Sequence, residues 1–152
     1  MKKLLALLAT VSLGAAALVA TVGQPAEAAT NPSKCTTTNI QYWSGLHAYI
    51  PSSGGDAGRN CWLVQDANNY NVAVKNLQQQ MNYCNRPDTW DPINADGYFG
   101  GTTETRLRST QAYRGVAVDG KYGKNTHNAM GFNWSVTVQG YTYYECARDW
   151  AV

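Results

Sequence analysis

The chain has 152 residues, with 12 Lys and Arg against 10 Asp and Glu, and a formal net charge of +2. So balanced a charge gives no broad attraction for polyanions, and we therefore expect neither nucleic acid nor an anionic membrane surface as a partner. The composition is instead rich in aromatic and hydrogen-bonding residues, including 10 Tyr and 5 Trp. Such residues suit neutral polar ligands such as sugars and amides.

Residues 1–28 have the layout of a secretory signal peptide. Two lysines near the start are followed by an apolar run at 4–23, and AEA at 26–28 offers a small-x-small cleavage site. A run of about 20 apolar residues is also long enough to span a bilayer, so a membrane anchor is the alternative. We favour cleavage, which predicts a protein that is secreted, extracellular or cell-wall associated, and free of the membrane afterwards.

All four cysteines follow this segment, and an even number in an exported chain predicts two disulfides. Of the three possible pairings we favour Cys61–Cys84 with Cys35–Cys146, because Cys35 and Cys146 lie on the outer arms. Free thiols or a metal site are the alternative. No Cys-x-x-Cys or Cys/His spacing supports a metal, so we expect no metal and no cofactor.

The chain after the signal peptide opens with small and polar residues. Residues 29–60 contain an aromatic island, IQYWSGLHAYI at 40–50, and then a stretch rich in Ser and Gly that is typical of a flexible loop. We expect an irregular N-terminal arm with one short strand or helical turn, held against the core.

An amphipathic helix is predicted from residue 72, with Asn71 as its N-cap. One face of this helix carries Val74, Leu77, Met81 and Cys84. The segment 85–94 then contains two prolines, which end the helix.

Two turns of the same design follow. DGYFGGTT at 96–103 and DGKYGKNT at 119–126 both read Asp-Gly-x-aromatic-Gly-x-x-Thr. We expect each Asp to accept backbone N–H groups, each first Gly to tolerate positive φ, and each aromatic ring to fill the core. The structural turn positions are Asp96, Gly97, Phe99, Gly100 and Thr103, and Asp119, Gly120, Tyr122, Gly123 and Thr126.

Each turn is predicted to open a helix. Thr102 or Thr103 would cap the first, which runs to about Arg114 before Gly115, and Asn125 or Thr126 would open a short second one. Alternation from Trp134 onward then predicts a half-buried strand that ends near Cys146. The expected organisation is a signal peptide at 1–28, an arm at 29–60, a domain at 61–132 and a strand-like arm at 133–152.

The repeated turns resemble the peptidoglycan-binding domain that is attached to bacterial cell-wall hydrolases. Val74, Leu77 and Gln78 before the first turn, and Gln111 between the turns, also follow that family's pattern, over about 72–132. The resemblance implies a mostly α fold, a small three-helix bundle with irregular, disulfide-stapled N- and C-terminal arms. The chain departs from the pattern at Arg106, at Thr110 and in the length of 85–95.

The resemblance also implies a groove between the two turn–helix units that accepts a glycan strand or stem peptide of peptidoglycan. Aromatic rings stack on sugars, amides pair with peptide bonds, and a guanidinium pairs with a carboxylate. The predicted contacts are Tyr98, Gln111, Tyr113, Arg114 and Asn125. A solvated surface position is the alternative for each of them.

Candidate catalytic residues are few. His47 and His127 lie far apart and lack the spacing of a zinc site, and Glu104 suits the first turn of a helix, where the dipole favours a carboxylate. We therefore expect a monomeric, non-catalytic module that binds peptidoglycan. The alternatives are a cell-wall hydrolase with an unrecognised site, and a secreted interaction or inhibitor protein on the same fold.

Overall fold

The computed structural model describes residues 32–55 and 57–149, and the predicted signal peptide at 1–28 lies outside them. In chain order the described elements are β1 (Thr37–Trp43), β2 (Leu46–Ser52), a 3-10 turn (Ala57–Arg59), α1 (Val72–Tyr83), α2 (Gly101–Arg114), α3 (Lys124–Ala129), β3 (Phe132–Val138) and β4 (Tyr141–Ala147). Within these ranges, every helix is too short or too polar to cross a membrane.

The four strands form one antiparallel sheet in the order β1-β2-β3-β4, so the prediction of a mostly α three-helix bundle is wrong. Two hairpins build the sheet, and each turns through two residues of positive φ, Ser44-Gly45 (49° and 82°) and Gln139-Gly140 (51° and 83°). Two-residue turns of this kind match the right-handed twist of the strands they join. The two predicted arms are therefore hairpins of a single sheet.

The strand predicted around Trp134 is confirmed, but it is half-buried only in its first part and does not continue to Cys146. It ends at Val138, and the chain returns as β4. The inner face of the sheet has an apolar centre, whose buried side chains are Ala48, Ile50, Phe132 and Trp134. These side chains belong to the same core as the buried face of α1, which includes Leu77 and Met81.

A glutamine of α1 joins the two hairpins. Among the described residues, β2 and β3 have one direct pair in register, His47 opposite Ser135. Beyond it, Gln80 Nε2 donates to the Tyr49 carbonyl (3.3 Å) and the Asn133 N–H donates to Gln80 Oε1 (2.7 Å). A buried side-chain amide thus continues the ladder and anchors the helix to the sheet.

The predicted N-cap is correct only for α1. Asn71 Oδ1 accepts the N–H of Ala73 at 2.8 Å, which confirms this N-cap. The caps of α2 and α3 are glycines, Gly100 and Gly123, in extended conformation. The residues predicted as their caps lie inside the helices instead, namely Thr102, Thr103, Asn125 and Thr126.

The two predicted disulfides are confirmed, but the favoured pairing is wrong. The bonds are Cys35–Cys61 and Cys84–Cys146. The Cys35 N–H donates to the carbonyl of Trp62, which brings Cys35 beside Cys61. Cys146 lies on β4 beside the end of α1, where Cys84 follows the helix. Contacts between distant segments therefore decide the pairing, and the order of cysteines along the chain does not show it.

Candidate functional site

The buried amide of Gln78 organises the first Asp-Gly turn. Its Nε2 lies within hydrogen-bond reach of Asp96 Oδ1 (3.0 Å), the Tyr98 carbonyl (3.1 Å) and Thr103 Oγ1 (2.9 Å). The Gly97 N–H donates to Gln78 Oε1 at 2.8 Å. One side chain of α1 thus holds the turn and the first residues of α2.

Gln111 makes the same contacts in the second turn. Its Nε2 reaches Asp119 Oδ1 (2.7 Å), the Lys121 carbonyl (2.9 Å) and Thr126 Oγ1 (3.0 Å), and its Oε1 accepts the Gly120 N–H (2.9 Å). Gln111 was predicted to contact a ligand, yet it is only 1% exposed. The structure places it inside the turn and gives its amide four partners there.

Both turns pair with one extended segment, 61–66. Leu63 and Tyr122 exchange two backbone hydrogen bonds of 2.9 Å, and the Asp66 N–H donates to the Phe99 carbonyl, also at 2.9 Å. Phe99 and Tyr122 are fully buried and belong to the same core. The segment therefore fixes the two turn–helix units around a shared interior.

Glycine is required at the first Gly of each turn. Gly97 has φ +84° and Gly120 has φ +71°, in the left-handed region that side chains disfavour. A Cβ on Gly97 would lie 2.5 Å from the ring of Tyr70, and one on Gly120 would lie 2.9 Å from side-chain atoms of Glu104 and Arg108. Backbone conformation and close packing thus both exclude a side chain.

The turn carboxylates have pKa values below the usual range. For Asp96, hydrogen bonds from the Tyr98 N–H and the Gln78 amide lower the pKa. For Asp119, partial desolvation raises the pKa, but hydrogen bonds from the Lys121 N–H and the Gln111 amide outweigh it, and the pKa is lowered overall. Both turns therefore favour the ionised carboxylate.

We expect acid to destabilise the protein through these carboxylates. Because their folded pKa values are depressed, their contribution is fully present above the unfolded value of about 4 and is lost as pH falls through the folded pKa. Chemical unfolding at intervals from pH 7 to pH 2 measures this loss. The double variant Asp96→Asn, Asp119→Asn should show a flatter acid dependence, and an unchanged one would contradict this role.

An open cleft of about 700 Å³ lies between the segment after α1 and the outer side of α2. The segment contributes Thr89, Trp90, Asp91 and Ile93, and the helix contributes Gly101, Thr102, Thr105, Arg106 and Ser109. Hydroxyl groups, an indole ring, a carboxylate and a guanidinium therefore converge on one concave surface, as polar ligands require.

Asn82 near the end of α1 and Arg86 just after that helix hold the segment that forms one wall of the cleft. Asn82 Nδ2 donates to the Ile93 carbonyl (2.8 Å), and the Ile93 N–H donates to Asn82 Oδ1 (2.9 Å). Arg86 donates to the carbonyls of Asn82 (2.6 Å), Pro87 (3.3 Å) and Trp90. These bonds position the wall before any ligand binds, which lowers the entropic cost of binding.

Arg106 gives the cleft its positive charge. Its guanidinium lies 5.2 Å from the centroid of the Trp90 ring and donates to the Asp91 carbonyl. Partial burial lowers the pKa of Arg106, and the charge of Arg86 lowers it further. The guanidinium still stays protonated at neutral pH. The Asp91 carboxylate, which also lines the cleft, acts on this pKa in the opposite direction. A partly desolvated cation beside an aromatic ring attracts an acidic group more strongly than one in bulk water.

None of the five predicted contacts lines this cleft, although Arg114 lies over the ring of Tyr113, 5.3 Å from its centroid. Tyr98 packs edge-on against Tyr70, with ring centroids 6.0 Å apart. Tyr113 packs against Trp90 at 6.0 Å, so it supports the cleft from outside. Asn125 lines a separate, smaller cavity of about 250 Å³.

Arg114 is already engaged within the protein. Its Nε donates to Asn85 Oδ1 (3.0 Å), and its terminal nitrogen donates to the Cys84 carbonyl. Burial lowers the pKa of Arg114, while the charge of Arg148 acts in the same direction. Arg114 therefore ties the end of α2 to the end of α1, and its role as a ligand contact stays a prediction.

The sequence did carry a signal for the cleft, in two departures from the family pattern. The segment 85–95 is longer than expected and contains Trp90, and Arg106 on α2 departs from the pattern. Each departure, taken alone, indicates only a local difference from the family pattern. Only the fold shows that they face each other.

A comparison with models of known protein families gives a match over the part of the chain that contains the cleft. Residues 71–130 match the model of a family described as a putative peptidoglycan binding domain. The match supports the resemblance over α1, α2, α3 and the cleft, whereas the boundaries 61–132 stay a prediction. No curated protein matches the chain. No solved structure matches it either.

The matched domain and the two disulfides are consistent with an extracellular or cell-wall location. All four strands lie outside the matched residues.

Proposed function

We propose that this protein is a secreted, monomeric and non-catalytic module that binds peptidoglycan through the cleft between residues 89–93 and α2. The observation that carries the proposal is the pairing of Trp90 with Arg106 in a preformed cleft, within the residues that match a peptidoglycan-binding family.

The chemistry of the cleft fits that polymer. Peptidoglycan offers sugar rings, hydroxyl and amide groups, and stem-peptide carboxylates. The Trp90 ring and the nearby hydroxyls of Thr102 and Thr105 suit a sugar or amide, because each can stack or hydrogen-bond without a charge. Arg106 suits a carboxylate, because a guanidinium forms two parallel hydrogen bonds to it.

A buried series of hydrogen-bonded polar side chains supports the non-catalytic assignment. Tyr122 Oη lies 2.8 Å from His127 Nδ1, His127 Nε2 lies 3.2 Å from Asp149 Oδ2, and this oxygen accepts a 2.6 Å bond from Arg59. Enzymes use such groups for proton transfer. All four side chains are buried, so a cell-wall polymer cannot reach them. We assign this series of side chains a structural role, which is to hold Asp149 and Arg59 against α3.

The proposal is tested by co-sedimentation with purified insoluble peptidoglycan. We expect the wild type to leave the supernatant, and Trp90→Ala to weaken binding by about tenfold or more, as loss of a buried aromatic contact does. Arg106→Gln should weaken binding by about fivefold, and the difference should shrink at high salt because the lost interaction is between charges. Arg108→Gln is the matched control, because Arg108 lies on the same helix but pairs with Glu104 outside the cleft.

Two results would contradict the proposal. One is a wild type that stays in the supernatant at low salt, which would favour a protein partner. The other is loss of turbidity in a wall suspension, which would indicate hydrolysis, and addition of a chelator would then show whether a metal takes part.

A further inference from the structure

The outer face of the sheet carries a row of uncharged side chains across all four strands. Residues directly opposite in an antiparallel ladder share a face, so the register aligns Tyr42, His47, Ser135 and Tyr144. No Asp, Glu, Lys or Arg occupies this face in the described strands. Glu145, the acidic residue of β4, lies opposite Trp134 and so belongs to the inner face.

Aromatic rings form the first half of this row. Tyr42 is 78% exposed and Tyr49 is 46% exposed. Between them lies His47, whose ring centroid is 6.4 Å from that of Tyr42 and 5.8 Å from that of Tyr49. Each ring thus restricts its neighbour, while the two tyrosines remain open to solvent. The result is a pre-ordered aromatic surface, which loses little side-chain entropy when it binds.

A recess of about 420 Å³ forms the other half of the row. It is lined by Tyr83, Asn133, Tyr144 and Cys146. The disulfide from Cys146 to Cys84 joins β4 to the end of α1 beside the recess. Two phenol groups and an amide around one recess can donate and accept hydrogen bonds without any charge.

We infer that this outer sheet face binds an uncharged polysaccharide chain, laid from Tyr42 across the strands to the recess at Tyr144. Sugar rings present apolar faces that stack on aromatic rings, and their hydroxyl and acetamido groups match phenol and amide partners. A face without charges holds no ionic group that a neutral sugar would desolvate without compensation. It also exerts no pull on a charged polymer.

This site is separate from the cleft. The strands that build it lie outside the residues that match the peptidoglycan-binding family, and Trp90 and Arg106 take no part in it. The inference therefore stands or falls independently of the proposed function.

Isothermal titration calorimetry of the full chain with a soluble N-acetylglucosamine hexamer tests the inference. We expect Tyr42→Ser and Tyr144→Ser each to weaken binding by about fivefold or more, since each removes one ring from the surface. Tyr141→Ser is the matched control. Tyr141 is 72% exposed on the same strand as Tyr144, but it lies opposite Val138 on the other face. This control should bind like the wild type, and binding should be unchanged in high salt.

Three outcomes would overturn the inference. The first is a wild type that does not bind the hexamer. The second is equal weakening by Tyr141→Ser and Tyr144→Ser, which would show that the outer face is not used. The third is self-association that Tyr42→Ser abolishes, in sedimentation without sugar, which would make the face an interface between copies.

Discussion

Replacing Gln78 by leucine is expected to lower the free energy of unfolding by about 3 kcal/mol or more. Leucine has a similar volume, so packing changes little. The amide of Gln78, however, serves Asp96, Gly97 and Thr103 at once, and all these groups lose a partner when it is removed. A buried donor or acceptor left without a partner costs about 1–3 kcal/mol.

The run of three glutamines at 78–80 provides its own controls. Gln79 is half-exposed, so Gln79→Leu should change stability by no more than about 0.5 kcal/mol. Gln80→Leu should cost about 1–3 kcal/mol, because it leaves the Asn133 N–H and the Tyr49 carbonyl without their partner. Urea unfolding of the three variants measures the order. Equal effects at 78 and 79 would contradict the central role of Gln78.

Removing the Cys84–Cys146 disulfide is expected to have the largest effect on stability, about 4 kcal/mol. In the chain-entropy model a cross-link restricts the unfolded chain more as its loop lengthens, and these cysteines are 62 residues apart. Cys35 and Cys61 are only 26 residues apart, so removal of that disulfide should cost somewhat less.

The double variants Cys84→Ala, Cys146→Ala and Cys35→Ala, Cys61→Ala allow a direct comparison by urea unfolding. Hydrogen exchange should locate the effect, because loss of the first bond frees β4, which is largely exposed and lies at the edge of the sheet. Protection lost first in β1 instead would show that the bond does not hold β4.

The local signals in the sequence were reliable where short-range chemistry decides the conformation. Asn71 begins α1 because its side chain reaches a backbone N–H two residues away. Gly115, at φ +71°, ends α2 because only glycine adopts that conformation without strain. Phe99 and Tyr122 enter the core because each follows an Asp-Gly turn that directs it inward.

The sheet was missed because its strands carry weak patterns. β1 is polar and β4 is aromatic on both faces, so neither shows the apolar alternation of a half-buried strand. The dipeptides Ser44-Gly45 and Gln139-Gly140 form the two hairpin turns and are the local signal of the hairpins in the sequence. That the two hairpins join depends on Gln80, a contact between a helix and strands far apart in sequence.

The candidate site also depends on contacts between distant segments that the sequence does not show. Tyr98, Tyr113, Arg114 and Asn125 were chosen because they lie near the turns, but none of them lines the cleft. The cleft depends instead on Trp90 facing Arg106, 16 positions away, across a wall that Asn82 and Arg86 hold.

By itself, the sequence determined the two Asp-Gly turns, the approximate positions of the three helices and the presence of two disulfides. These features depend on interactions within a few residues, or on composition, and a single chain read in order contains them. Only the tertiary structure decided the sheet, the cysteine pairing and the cleft. Each of these requires distant segments to meet, and the shared core selects which segments do so.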